Sequence, residues 1–97
     1  MHVGAGIVTL HLAGSQSLKD KRQVIRSLVD RLRRRFNVAI AEVEEQESWQ
    51  TAVLCLTVVS NDAGHAAHQL DRVVDAIEQD RLGVEIVDRF LDVLSVT

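Results

Sequence analysis

The chain has 97 residues, of which 46% are hydrophobic and 26% charged, and its formal net charge is −3 at pH 7. These values are typical of an ordinary globular protein, so we expect one domain over residues 1–97. A single cysteine excludes an intrachain disulfide, and no apolar stretch approaches the roughly 20 residues that cross a bilayer, so we expect a cytoplasmic protein without a membrane partner.

The first two predicted elements are a strand and a helix. Residues 2–12 are β-branched and apolar and precede an Ala-Gly-Ser turn, which predicts the strand. Ser17 then provides an N-cap oxygen, with Asp20 three residues later in a capping-box-like position. Apolar residues recur at helical spacing as far as Phe36, so we predict a helix that ends at Asn37, a residue that tolerates the left-handed conformation.

The middle of the chain predicts two strands. Residues 38–44 form the shorter and more polar strand, and residues 45–48 predict a turn. Residues 49–59 predict a strand that is apolar on both faces, which indicates a central position in a sheet.

A second helix and a fourth strand complete the chain. Asp62, at the end of a Ser-Asn-Asp run, supplies cap chemistry for a helix over residues 63–81. Gly83 breaks this helix, and residues 84–96 predict the last strand.

The order βαββαβ predicts an α+β fold of the ferredoxin-like type, in which both helices cover one face of a four-stranded antiparallel sheet. The first and third strands are then central. Val3, Ala5 and Ile7 would leave the open face of the sheet apolar as well, and such a face is normally covered. We therefore expect a homodimer that packs through the open sheet face, with contact through an edge strand as the alternative.

Positive and negative residues are unevenly distributed along the chain. Residues 17–36 hold eight cations and two anions and so carry +6, while the other 77 residues carry −9. The candidate phosphate-binding residues are Lys19, Lys21, Arg22, Arg26 and Arg33. All except Lys21 lie within about 60° of one another around the helix axis, whereas the angle of Lys21 falls near the apolar face. This stripe suits the backbone of a polyanion. The loop at residues 13–17, followed by Lys19, Lys21 and Arg22 in the first turn of the helix, suits a phosphate. The alternative is that Asp20 offsets these charges and the lysines are merely solvated.

Several segments resemble the YlxP family, small bacterial proteins of unknown function. They are residues 17–22 (SLKDKR), 35–38 (RFNV), 41–43 (AEV), 49–50 (WQ), 52–54 (AVL) and 58–62 (VVSND). The resemblance implies a ferredoxin-like fold and a genomic setting among translation-initiation and ribosome-maturation genes, from which the family's provisional ribosome-binding label comes. The second helix departs from the family, because it is rich in Ala, His and Asp where relatives are often more basic.

Other side chains favour binding over chemistry. Three aromatic residues, Phe36, Trp49 and Phe90, are too few to stack bases on the central strands, so RNA binding would be directed at phosphates and sensitive to salt. His65 and His68 lack a third ligand at suitable spacing, and Cys55 lies in an apolar strand without an activating neighbour. We therefore expect no catalytic site, no metal and no cofactor.

Two functional hypotheses follow. The first is a small, non-enzymatic cytoplasmic homodimer that binds ribosomal RNA, a ribosomal subunit or a pre-ribosomal particle through the basic helix, in ribosome maturation or translation. The alternative is a dimeric adaptor that binds an acidic protein through the same helix, without nucleic acid. The salt dependence of binding distinguishes them, because RNA binding releases condensed counterions.

Overall fold

Four strands and two helices alternate in the predicted order βαββαβ in a computed structural model, which describes residues 1–44, 47–80 and 83–96. The elements are β1 (His2–Leu12), α1 (Leu18–Arg35), β2 (Ala39–Glu44), β3 (Thr51–Ser60), α2 (Ala63–Glu78) and β4 (Val84–Ser95). The start of the predicted turn at residues 45–48 and the predicted end of the second helix at residue 81 lie outside the described residues.

The strands form one antiparallel sheet in the order β2-β3-β1-β4, so β1 and β3 are central as predicted. Ile7 illustrates the register, since it lies opposite Cys55 on one side and Phe90 on the other. Together with the two helices, this arrangement confirms the ferredoxin-like α+β fold.

The core lies between the helices and one face of the sheet. Alternate residues of the two central strands point into it, because successive side chains of a strand face opposite sides. The fully buried aliphatic residues include Val8, Leu10, Leu54 and Leu56 from the sheet, Leu28 from α1, and Leu70, Val73 and Ile77 from α2. Burial of this apolar surface is what holds both helices on the sheet.

The start of α1 follows the sequence pattern more closely than its end. The Ser17 hydroxyl accepts a hydrogen bond from the backbone N–H of Asp20 at 3.0 Å, which is the predicted N-cap. The prediction that Asn37 ends the helix was wrong. α1 ends at Arg35, and Phe36 leaves it with extended backbone (φ −130°, ψ 149°) while its side chain packs against the core.

The second helix begins at its predicted cap, where the Asp62 carboxylate accepts from the backbone N–H of Gly64 at 2.8 Å. Gly83 adopts a φ of 71° immediately before β4, a left-handed conformation that glycine reaches without a Cβ clash. An ion pair ties the helix layer together, since the Arg31 guanidinium donates to both carboxylate oxygens of Asp80 at 2.8 Å. Within the described ranges, neither helix is long and apolar enough to cross a membrane.

Glycine on the inner face of β1 lets α2 approach the sheet. A Cβ built on Gly4 would lie 2.9 Å from Leu70 Cδ1 and 2.9 Å from Val58 Cγ2, and both of these side chains are buried. We expect Gly4→Ala to lower the free energy of unfolding by about 1–2 kcal/mol, because a packed core accommodates an extra methyl group poorly. Urea unfolding followed by circular dichroism measures this change.

Gly14→Ala is the matched control, because an added Cβ there meets open space within 4 Å. The control is expected to be neutral or slightly stabilising. Equal stability of Gly4→Ala and the parent chain would contradict the close approach of α2 to β1.

Candidate nucleic-acid interface

Lys21, one of the five candidate phosphate ligands, lies in the core. Its side chain is 1% exposed; Nζ donates to the Thr51 carbonyl oxygen at 3.1 Å and forms an ion pair with Glu42 Oε2 at 3.1 Å. The cause is its position on α1, one turn before Ile25 on the apolar stripe. A buried ammonium needs such partners, and Lys21 therefore joins α1 to β2 and β3 and is not part of the exposed basic surface.

The loop before α1 is occupied by its own hydrogen bonds. The backbone N–H of Gln16 donates to Asp20 Oδ2 at 3.0 Å, and that of Ser15 donates to the Leu12 carbonyl oxygen at 3.1 Å. Asp20 also lines the adjoining cleft, where its carboxylate would repel a phosphate. The loop is therefore a poor anion site, which leaves exposed Lys19 as the first-turn cation on the predicted stripe.

Three of the predicted arginines converge on one surface feature. Arg22, Arg26 and Arg33 line a shallow groove of about 390 Å³ between α1 and the edge strand β2. Apolar residues of both elements also line it, and all three arginine side chains are exposed. We call this feature the α1–β2 groove. Lys19 is exposed on the same flank of α1, one turn before Arg22.

The acids of the α1–β2 groove do not neutralise its arginines by direct ion pairs. Asp30 and Glu42 also line it, but the Glu42 carboxylate is paired with Lys21. Among the described residues, neither Arg22 nor Arg26 has a carboxylate oxygen within 4 Å. The two guanidinium groups are therefore open to an external anion.

Arg33 is held in place by the edge of the sheet. Its Nη2 donates to the carbonyl oxygen of Ile40 at 2.8 Å, so the side chain reaches from α1 to β2. A guanidinium has five N–H donors, and one bond to the backbone leaves others for a ligand. This contact orients Arg33 and also covers one backbone acceptor of an exposed edge strand.

A second group of cations was missed as a site by the sequence analysis. The Arg35 and Arg72 guanidinium carbons lie 5.1 and 5.6 Å from the centre of the Phe36 ring. Arg72 comes from α2, the helix that is rich in Ala, His and Asp. We call this cluster the α1–α2 seam; helical periodicity alone does not reveal it, because it joins residues 36 positions apart.

The histidines and the cysteine considered in the sequence line neither the α1–β2 groove nor the α1–α2 seam. His65 Nδ1 is 3.0 Å from the Ser60 hydroxyl, and His68 is exposed on α2. Cys55 is a half-buried free thiol on β3. In the part of the chain that the structure describes, no three histidine, cysteine or acidic residues are grouped so as to hold a metal ion.

Comparison with known proteins supports the family resemblance and the fold. A family model described as "Protein of unknown function (DUF503)" matches residues 3–89. The "Uncharacterized protein YlxP" of Bacillus subtilis (strain 168) is 34% identical over 62 residues, which cover 64% of this chain and 67% of that protein. The structure of "De novo designed protein Foldit4" aligns over the full length of both chains with a TM-score of 0.52 and 12% identity, a likeness of fold alone.

The position of Lys21 yields a stability prediction. Lys21→Met leaves Glu42 without its ammonium partner, and we expect the free energy of unfolding to fall by about 2 kcal/mol. This is less than the loss for a fully buried pair, because Glu42 is partly exposed and water compensates in part. Urea unfolding measures the change, and Lys21→Met/Glu42→Met should recover much of it.

Lys19→Met is the matched control, since this lysine is two residues away and exposed. We expect it to change stability by no more than about 0.5 kcal/mol. A Lys21→Met variant as stable as the Lys19→Met control would contradict a structural role for the buried ammonium.

Proposed function

The chain belongs to the DUF503 family, and we propose that it is a small, non-enzymatic cytoplasmic protein that binds RNA phosphates through the α1–β2 groove. The RNA that we propose is ribosomal, in a ribosomal subunit or a pre-ribosomal particle, with a role in ribosome maturation or translation. The observation that carries the proposal is the convergence of exposed Arg22, Arg26 and Arg33 beside the edge strand.

The charges of the groove favour a polyanion. The α1 region carries a local charge of +6 within an acidic chain, and such a local field attracts an anionic partner even when the net charge is negative. Arginine presents a planar fork of donors that matches phosphate oxygens, and three such forks line one groove. A duplex RNA backbone offers phosphates in a regular row along its length.

The sheet offers no platform for base stacking on its central strands. On the face away from the helices, β1 and β3 carry aliphatic, threonine, histidine and cysteine side chains. Phe90 is on this face, but in the edge strand β4. Contacts through phosphates rather than through bases are therefore favoured, and the affinity would depend strongly on salt.

The choice of ribosomal RNA among polyanions comes from the family resemblance, while the groove supports the more general binding of phosphate. An acidic protein partner would be attracted by the same arginines. The two partners differ in salt dependence and in sensitivity to ribonuclease, so the experiment below separates them.

The test compares matched charge reversals. We expect Arg22→Glu/Arg26→Glu to abolish co-sedimentation of the tagged protein with ribosomal subunits on sucrose gradients at low salt. With a labelled RNA duplex, fluorescence anisotropy should show at least a roughly tenfold loss of affinity at 100 mM KCl. The slope of log K against log salt should become shallower by about 2, since two phosphate contacts are lost.

Arg89→Glu is the control, because Arg89 lies on β4 and pairs with Glu78 at 3.3 Å, away from the groove. It should bind RNA like the parent chain. Retained binding in the groove variant would contradict the proposal, as would a parent chain that stays at the top of the gradient at low salt. Capture of an acidic protein that survives ribonuclease and needs Arg22 and Arg26 would favour the adaptor function instead.

The open face of the sheet supports a second part of the proposal, a homodimer. Ile7 is 49% exposed, Phe90 67% and Leu94 54%, and all three lie on the face away from the helices. On the described central strands this face carries no lysine, arginine, aspartate or glutamate. A sheet face that meets water usually carries polar side chains at these positions, so the composition of the two central strands favours burial. Asp88 and Asp92 of β4 also lie on this face, at its edge.

The size of the open face suits a second copy of the chain. β1 has 11 residues and is roughly 36 Å long at 3.3 Å per residue, and four strands span roughly 19 Å. The face therefore covers roughly 700 Å², close to the area of about 800 Å² that each partner contributes to a stable interface. Two twisted sheets pack face to face readily, which favours contact between two copies of this face.

The dimer is tested by one added charge. We expect Phe90→Asp to convert the dimer to a monomer in sedimentation-velocity experiments, because a carboxylate would be buried without a partner. His68→Asp adds a charge on α2, on the other side of the sheet, and should leave the dimer intact. A parent chain that sediments as a monomer at 100 µM, or a dimeric Phe90→Asp variant, would contradict packing through the open face.

A further inference from the structure

The α1–α2 seam brings two positive charges to one aromatic ring. The guanidinium carbons of Arg35 and Arg72 are 5.1 and 5.6 Å from the Phe36 ring centre, so they lie no more than about 11 Å apart. Contact with a ring face holds each guanidinium by a cation–π interaction and uses none of its N–H groups. Both side chains remain exposed, with their donors available.

The two arginines of the α1–α2 seam differ from the neighbouring Arg31, whose charge is neutralised by an ion pair. Arg31 also lies between the helices, and there Asp80 accepts three hydrogen bonds from its guanidinium. Neither Arg35 nor Arg72 has a carboxylate oxygen within 4 Å among the side chains of residues 1–43, 47–80 and 83–96. Arg72 is the one cation in α2, and it lies beside the basic end of α1 although Asp71 and Asp75 are on its own helix.

Consecutive arginines connect the seam to the α1–β2 groove. Arg33, Arg34 and Arg35 follow one another at the end of α1, and successive residues of a helix are about 100° apart around its axis. Arg33 lines the groove, Arg35 lies at the seam, and Arg34 is exposed between them. The three side chains form an arc of positive charge around the end of α1. Their combined charge exceeds the partial negative charge of about −0.5 at a helix C-terminus.

We propose that the α1–α2 seam is a second phosphate-binding site, in which Arg35 and Arg72 contact the same RNA backbone that the α1–β2 groove holds. This proposal rests on the proposed function and adds the path of the ligand. The backbone crosses the C-terminal end of α1, from Arg33 past Arg34 to the seam, and does not simply follow the helix axis. Residues of both helices then belong to the interface.

The experiment removes one charge at a time from the parent chain. The probe is a fluorescein-labelled 20-base-pair RNA duplex, and anisotropy gives the binding constant between 50 and 200 mM KCl. We expect Arg72→Gln to make the slope of log K against log salt shallower by about 0.9, the value for one lost phosphate contact. Arg72→Lys keeps the charge and should restore the slope, which a purely structural role for the cation–π contact does not require.

Arg89→Gln is the matched control, because it also removes one cation but lies on β4. Its slope should equal that of the parent chain. Thermal unfolding of each variant confirms that the comparison is made between folded proteins.

The outcomes distinguish the proposal for the α1–α2 seam from the proposal for the α1–β2 groove. If the parent chain binds and Arg22→Glu/Arg26→Glu weakens binding while Arg72→Gln leaves the slope unchanged, the seam proposal is overturned and the groove proposal stands. An equal effect of Arg89→Gln would show a response to net charge alone and would also overturn it. If the parent chain does not bind the duplex at any salt concentration, RNA binding fails and the seam proposal fails with it.

Discussion

The structure depends on the burial of the apolar stripe of α1 against the sheet. Ile25, Leu28 and Leu32 face the core, and a helix is rigid, so their burial determines where every other side chain of α1 points. One flank is turned towards the edge strand β2 and the other towards α2. The arginines that cannot be buried are therefore divided between the α1–β2 groove and the α1–α2 seam.

The same constraint explains why Lys21 differs from its neighbours in charge-rich α1. Its position on the buried stripe carries the ammonium into the core, where Glu42 and the Thr51 carbonyl oxygen accept from it. Such a pair contributes little net stability compared with apolar residues, but it restricts how α1 is placed, because any shift of the helix separates the charges. The same ion pair also fixes the shape of the α1–β2 groove, because Glu42 lines it.

Periodicity and capping residues were sufficient for the fold. β1, the start of both helices and the order of the sheet followed from local patterns, because alternation and N-cap chemistry are properties of neighbouring residues. The exposed arginines followed from helical angles, and the angle of Lys21 already pointed to the core. The partners of Lys21 and the meeting of Arg72 with Phe36 depend on tertiary packing, and no local pattern contains them. The end of α1 was missed for the same reason, since packing of Phe36 against the core overrides the preference of Asn37.

The α1–β2 groove and the α1–α2 seam lie on the helix side of the sheet, and the proposed dimer face lies on the other side. This separation limits how a dimer can bind RNA. In a dimer formed through the open faces, the sheets stack about 10 Å apart and the helix layers lie outside them. The basic surfaces of the two copies then point in opposite directions, so one stretch of RNA backbone contacts one copy only. The dimer gains from its second site only on a ligand large or folded enough to reach both, where the second contact becomes intramolecular. A structured RNA particle meets that geometric requirement, and a short duplex does not.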